Sequence, residues 1–293
     1  MRAESPVIPN DRTSATPRQG RDSPLFVGSL EKGLRVFQAF DDTHRSLRLT
    51  EIAAATGLDK SAAQRFTHTL HELGYLKKDP KTKHYRLAPK VLELGFTYLR
   101  TDSLVERATP YLLEANKRAE ETVNLTELDG TEVVYVARVP SRHQITVDVV
   151  LGTWLPAYCL APGRAMLAFL PEEKARTVIE RSDRASYTEK TVTDVTAIMD
   201  MLPRIRRSGY AVAIEEYSAG EISVAAPVFD FGRQPIAAVN IAVPTSRWTI
   251  QAVEKKLAPI VVETAQAISH AEGNRTGLQP LRRTAPPRNR RNR

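Results

Sequence analysis

The sequence predicts an α+β protein of two modules: an N-terminal winged helix-turn-helix with a linker helix, then a C-terminal domain with one main sheet. Three observations carry that prediction. Residues 49–87 read as a short helix, a tight turn at Gly57, a longer helix and a hairpin rich in basic side chains. Beyond Thr122 the pattern changes to short β-branched runs broken by turns and interleaved with helices. Charge divides along the same line. Residues 28–100 carry thirteen basic and eight acidic side chains, whereas residues 101–272 carry eighteen and twenty-three. A basic module joined to an acidic one says more about partners than the net charge of +8.

The elements follow in order. Residues 1–27, rich in Pro, Ser and Arg without apolar periodicity, read as a disordered arm. Ser29 is a good N-cap for a first helix burying Leu30, Leu34, Phe37 and Phe40. A second helix covers residues 50–55, and a third runs from Lys60 to Leu73 and stops at Gly74. On that third helix Ala63, Phe66, Leu70 and Leu73 form a core stripe. In the hairpin, Asp79 and Pro80 open a type I turn. The DNA-binding module spans residues 28–90 and the linker helix 91–103. The second domain spans 104–272, and residues 273–293, with seven arginines and no acid, read as a disordered tail. That tail either strengthens non-specific DNA binding or keeps the chain soluble. Within the second domain, residues 123–128 and 132–139 flank a hairpin turn at Asp129-Gly130-Thr131. Further strands are expected at 145–151, 223–229 and 235–243, and helices at 163–170, 172–181, 196–208 and 249–271.

The polar flank of the third helix holds Lys60, Ser61, Gln64, Arg65 and His68. Arg grips guanine O6 and N7, and Gln does the same for adenine N6 and N7, so this flank suits base edges. Polar stripes are usually plain solvated faces. What lifts this one is the adjacent hairpin, where Lys77, Lys78, Lys81, Lys83 and Arg86 suit backbone phosphates. Lysines on a hairpin also serve simply to protect edge strands.

A second candidate is the segment 154–170. Pro162 sits where a helix starts, and a helix N-terminus attracts anionic or polar ligand heads. Trp154, Leu155, Tyr158 and Leu160 could wall an apolar site there, or the helix could pack on the sheet with no ligand. Cys159 lacks a nearby base and reads as a buried structural thiol. Adjacent Glu215 and Glu216 point to opposite faces of a strand, so ion pairs with Arg206 or Arg207 suit them better than shared catalysis.

Other classes are excluded or left unsupported. With one cysteine and six histidines, and no CxxC or HxxxH pairing, neither a disulfide framework nor a metal site is expected. No cofactor motif is present, neither P-loop nor GxGxxG. No apolar run reaches the length of a membrane span, and no signal-peptide pattern opens the chain, so a cytoplasmic protein is expected. No nucleophile–base pair is visible, so the chain is not expected to be an enzyme. The alternative is an enzyme acting on an aromatic acyl compound.

The motifs SLEKGLRVFQAF, LTEIAAATGLDKSAAQRFTHTLHELGYL, LPAYCLAPGRAMLAFL, GYAVAIEEYSAGEISVAAPVFD and AAVNIAVP, in this order, resemble the IclR (isocitrate lyase regulator) family of bacterial transcription factors. The resemblance runs from about Gly28 to Glu272. It implies a GAF-like effector-binding domain behind the winged helix, and a homodimer or dimer of dimers on a palindromic operator. The LPAYC form resembles the branch that senses aromatic acids such as protocatechuate and 4-hydroxybenzoate. By motif, the resemblance places Val147, Leu155, Ala161, Pro162, Ala213, Ser223, Asn240 and Ala242 around the effector, and Tyr158, Cys159 and Leu160 of the 154–170 segment join them as expected effector-binding residues. Two departures shape the ligand. Pro162 has no N–H to give, and Ala213 stands where some members carry an acid. Both favour a larger, flatter and more apolar ligand than glyoxylate or pyruvate: an aromatic acid, or its ester, amide or hydrazide.

Overall fold

The computed structural model describes residues 23–41, 43–143 and 149–274. The expectations for the arm before Ser23, for the tail after Asn274 and for Val147 lie outside those residues. The chain divides into two compact units, Met1–Thr101 and Asp102–Arg293.

The first unit holds α1 (Gly28–Gln38), α2 (Leu49–Thr56), α3 (Lys60–Glu72), β1 (Leu76–Lys78), β2 (Tyr85–Leu87) and α4 (Val91–Thr101). Its core is Val36, Phe40, Leu47, Ile52, Leu76 and Tyr85. Gly57 takes the left-handed backbone (φ 65°) that ends α2, and the Asp59 carboxylate then caps α3 by accepting from the Ala62 N–H at 2.8 Å. Tyr85 exchanges both backbone hydrogen bonds with Leu47, which fixes the hairpin to the chain ahead of α2.

Three sequence expectations need correction here. Val27, not Ser29, precedes α1, and no side chain caps it. Leu30 and Leu34 are exposed, at 62% and 52%, because Val36 and Phe40 point to the core about a third of a turn away. Leu73 falls just past the last turn of α3, beyond the packed stripe, and is exposed as well.

The second unit holds α5 (Ser103–Ala119), β3 (Val123–Asp129), β4 (Glu132–Val139), β5 (Trp154–Pro156), α6 (Ala161–Leu167), α7 (Glu172–Arg181), α8 (Val195–Ser208), β6 (Ala211–Ile214), β7 (Glu221–Phe229), β8 (Pro235–Pro244), α9 (Ile250–Ala252) and α10 (Ala258–Ala271). A π-helical stretch, Val253–Leu257, joins the last two where one long helix is expected. The six strands form one antiparallel sheet in the order β5-β4-β3-β8-β7-β6. Residues 149–151 are not in a strand, and β5 and β6, three and four residues long, were not foreseen. Alternation along the strands splits the core in two. Val123, Leu125, Val239 and Ile241 face α5 and α10, whereas Tyr135, Ala213, Ala225 and Ala238 face α6 and α8.

One buried ion pair fastens the second layer. Arg164, 1% exposed, sits on α6 and makes two bonds to Glu216, at 2.5 and 2.6 Å. Its Nε donates to the Tyr158 carbonyl at 2.7 Å, and Glu216 also accepts from the Val192 N–H at 3.2 Å. The expected partners Arg206 and Arg207 are not used. Arg206 donates to the Ala168 carbonyl, and Glu215 pairs with Lys190. Gly163 explains why the turn before α6 can close this tightly: a Cβ there would lie 2.1 Å from the Ala157 carbonyl oxygen. Removing one partner of a buried pair typically costs about 3–5 kcal/mol, whereas replacing both by apolar groups of similar size is often neutral. Arg164→Met should therefore destabilise the chain by about that amount, and Arg164→Met with Glu216→Leu should recover most of it in urea melts. Equal losses in the single and double variants would contradict this reading of the pair.

Candidate functional site

The first site is built from α3 and the hairpin. Ala62, Ala63 and Thr67 face the core, so Lys60, Ser61, Gln64, Arg65 and His68 lie on the opposite side, all exposed. His68 lies 3.9 Å from Glu72, the one acid on this flank. Lys90 donates to the Leu73 carbonyl at 3.0 Å and rests over the Tyr75 ring, holding the C-terminal end of α3. In the hairpin, Lys77 stands directly opposite Arg86. Like charges paired across strands repel, an arrangement that an external polyanion relieves. Asp79 does not neutralise them. Its carboxylate accepts from the Lys81 and Thr82 amides at 2.8 Å, and these bonds hold it below the usual carboxylate range. Lys78, Lys81 and Lys83 are exposed too, with Lys78 lying over the Tyr85 ring.

The second site lies inside the other unit. Leu155, Tyr158, Cys159, Leu160, Ala161, Pro162, Ala213, Ser223, Asn240 and Ala242 are all buried. Strand register puts Ala213, Ser223 and Ala242 in one row across the sheet. Asn240 is one pleat away, in a row with Ala225 and Asn124. All of these face the layer that contains α6. That helix is only seven residues long, and its first turn is occupied by Pro162 and the close-packed Gly163, so the sheet rather than the helix start supplies the polar groups. Tyr158 donates its hydroxyl to the Ala185 carbonyl. Burial pushes the Cys159 thiol up to about 12, which keeps it protonated and unfit as a nucleophile.

Sequence reasoning missed Asn124, Tyr135 and Glu221 on this face. The alternation in Val123-Asn124-Leu125-Thr126 signalled that Asn124 and Thr126 share a face. A polar face on a hairpin reads as solvent-facing, but here a helical layer covers it. Glu221 begins β7 two residues before Ser223, and burial alone raises its carboxyl from 4.5 to about 7. The folded chain thus keeps this proton up to about pH 7, while the unfolded chain releases it near 4.5. Stability falls as pH rises across that window. Glu221→Gln should match the parent near pH 4.5 and exceed it by about 1–3 kcal/mol at pH 8 in urea melts, whereas a pH-independent difference would contradict the assignment.

Comparison with known proteins identifies the family of these two units. The IclR helix-turn-helix domain matches residues 29–80, and the C-terminal domain of the bacterial transcriptional regulator IclR matches residues 96–270. The Pca regulon regulatory protein of Pseudomonas putida is 34% identical over 84% of this chain and 84% of its own length. The p-hydroxybenzoate hydroxylase transcriptional activator of Acinetobacter baylyi is 31% identical over 83% of this chain and 91% of its own. Both support the aromatic-catabolism branch. Among solved structures, a transcriptional regulator from Rhodococcus sp. RHA1 superposes with a TM-score of 0.75 at 36% identity, covering 85% of this chain and 99% of that one. An IclR homologue from Microbacterium hydrocarbonoxydans, solved with 4-hydroxybenzoate, shares the fold at 23% identity and a TM-score of 0.69, covering 84% of this chain and 99% of its own. Winged helix, half-barrel sheet domain and matched motifs together make this chain a member of the IclR family of bacterial transcriptional regulators.

Proposed function

We propose that this regulator reads a palindromic operator with the α3 flank and adjusts its grip when an aromatic metabolite enters the layer between the sheet and α6. Gln64 and Arg65 contact base edges, Lys60, Ser61 and His68 flank them, and Lys77, Lys78, Lys81, Lys83 and Arg86 hold phosphates. The observation that carries this reading is an exposed, base-competent helix flank on one unit and unpaired buried polar groups on the other. The effector is an aromatic acid or a derivative such as an ester, amide or hydrazide. It is bounded by Leu155, Tyr158, Cys159, Leu160, Ala161, Pro162, Ala213, Ser223, Asn240 and Ala242. The family relatives that control p-hydroxybenzoate hydroxylase and the Pca regulon support that class.

The working form is a homodimer, or a dimer of dimers, in the cytoplasm. Leu30 and Leu34 on α1, and Leu92, Leu94 and Phe96 on α4, expose more apolar surface than a lone DNA-binding unit should leave to water. A second copy covering them would also set two recognition helices on two half-sites. No helix among the described residues is long and apolar enough to cross a membrane.

Binding of the full chain to its operator, followed by fluorescence anisotropy over a salt series, tests the assignment. Arg65→Ala should cost about 1–3 kcal/mol and relax base preference at one position. Lys81→Ala should weaken all sequences alike and lower the salt slope by about one. Arg65→Ala binding as tightly and selectively as the parent would overturn the recognition role.

A further inference from the structure

Asn124 and Asn240 are direct cross-strand partners on β3 and β8, 2% and 1% exposed, and their side chains face the α6 layer. Neither amide atom of Asn240 has a hydrogen-bond partner, and Asn124 Oδ1 has none either. Buried polar groups are almost always paired, because leaving one unmade costs its full desolvation. Here two unmade acceptors and one unmade donor stand side by side. Paired side chains in a sheet have Cβ atoms about 4.5–5.5 Å apart, so a single small group can reach both amides. The neighbours are small: Ala225 is next in the row, and Ala238 and Ala242 flank Asn240 on β8.

We propose that Asn124 and Asn240 together read a neutral hydroxyl of the effector, which on an aromatic ligand is a phenol, and that Asn124 is a specificity-determining residue. The inference rests on the aromatic-effector reading above and adds which group points where. A hydroxyl both donates and accepts, so it can donate to an Oδ1 and accept from Asn240 Nδ2. A carboxylate only accepts, so it could take the Asn240 Nδ2 donor but would leave both Oδ1 atoms unpaired. Arg138, next in the row beyond Asn124, has an interaction of its own, but its buried Nη1 makes no hydrogen bond, so it offers the hydroxyl oxygen a further donor. The hydroxyl of an aromatic acid, rather than its carboxylate, is therefore matched to the two Oδ1 atoms. A site built to hydrogen-bond a hydroxyl rejects the analogue lacking it, because its own polar groups are then left unpaired.

The experiment titrates the full chain by calorimetry with 4-hydroxybenzoate, 4-methoxybenzoate and 4-fluorobenzoate, and records melting without ligand. The parent chain should bind the hydroxyl compound at least tenfold tighter than the other two. Asn124→Leu and Asn240→Leu, which replace the unpaired atoms by methyls on the same branched frame, should bring the three ligands within about threefold. Their melting temperatures without ligand should equal or exceed the parent's. Discrimination that survives in both variants, or a melting temperature that falls in both, overturns the proposal; the second result would show that the amides serve the fold. Three benzoates binding the parent equally well would contradict the hydroxyl assignment alone. A parent chain that binds none of them would remove the aromatic-effector reading and this inference with it.

Discussion

The second unit is organised around the Arg164–Glu216 pair. A guanidinium almost wholly out of water is tolerated only where its hydrogen-bond donors are met, and here a carboxylate and the Tyr158 carbonyl meet them. Those bonds join four pieces of chain: the turn before α6, α6 itself, the segment near Val192 and the loop between β6 and β7. Each piece ends beside the sheet face that carries Ser223 and Asn240. The close approach at Gly163 belongs to the same constraint, since any larger residue would push α6 off the Ala157 backbone. On the sheet itself the residues beside the polar patch are small: Ala213, Ala225, Ala238 and Ala242.

The DNA-binding unit depends on a different economy of contacts. Its core is small, and its helices are held by caps and local polar bonds. Asp59 caps α3, Glu51 returns to the Arg48 N–H at 2.6 Å, and Arg35 reaches the Thr56 carbonyl at 3.1 Å. The charge chemistry is left on the outside, where phosphates can reach it. The effector unit, by contrast, takes some charges inward, in pairs such as Glu121–Arg247 and Arg164–Glu216. On the proposed reading, one unit suits a long polyanion and the other a small, mostly apolar guest.

How far the sequence reveals this depends on the range of the interactions. The α3 flank was legible because helical spacing alone separates Ala63 from Gln64 and Arg65. Gly57 and Gly74 marked turns whose positive φ the structure shows. The hairpin at Gly130 was legible for the same local reason. Leu30 and Leu34 misled, since an apolar stripe cannot say whether it meets its own core or a neighbour's. The partner of Glu216 was hidden because Arg164 is 52 residues away in sequence, whereas Arg206 is only ten. Asn124 was hidden because nothing local says that the polar face of a hairpin is roofed by helices.

Under the proposed function, a guest in the inner layer and the operator on the outer flank bias one equilibrium. Linkage makes that claim numerical: the factor by which one ligand changes the other's affinity must be the same in both directions, typically 5–150-fold. The direct measurement is the operator Kd at zero and saturating 4-hydroxybenzoate, set against the 4-hydroxybenzoate Kd with and without operator. Two equal factors well above one are expected. A compound that binds the inner layer firmly yet leaves the operator Kd unchanged would contradict this coupling.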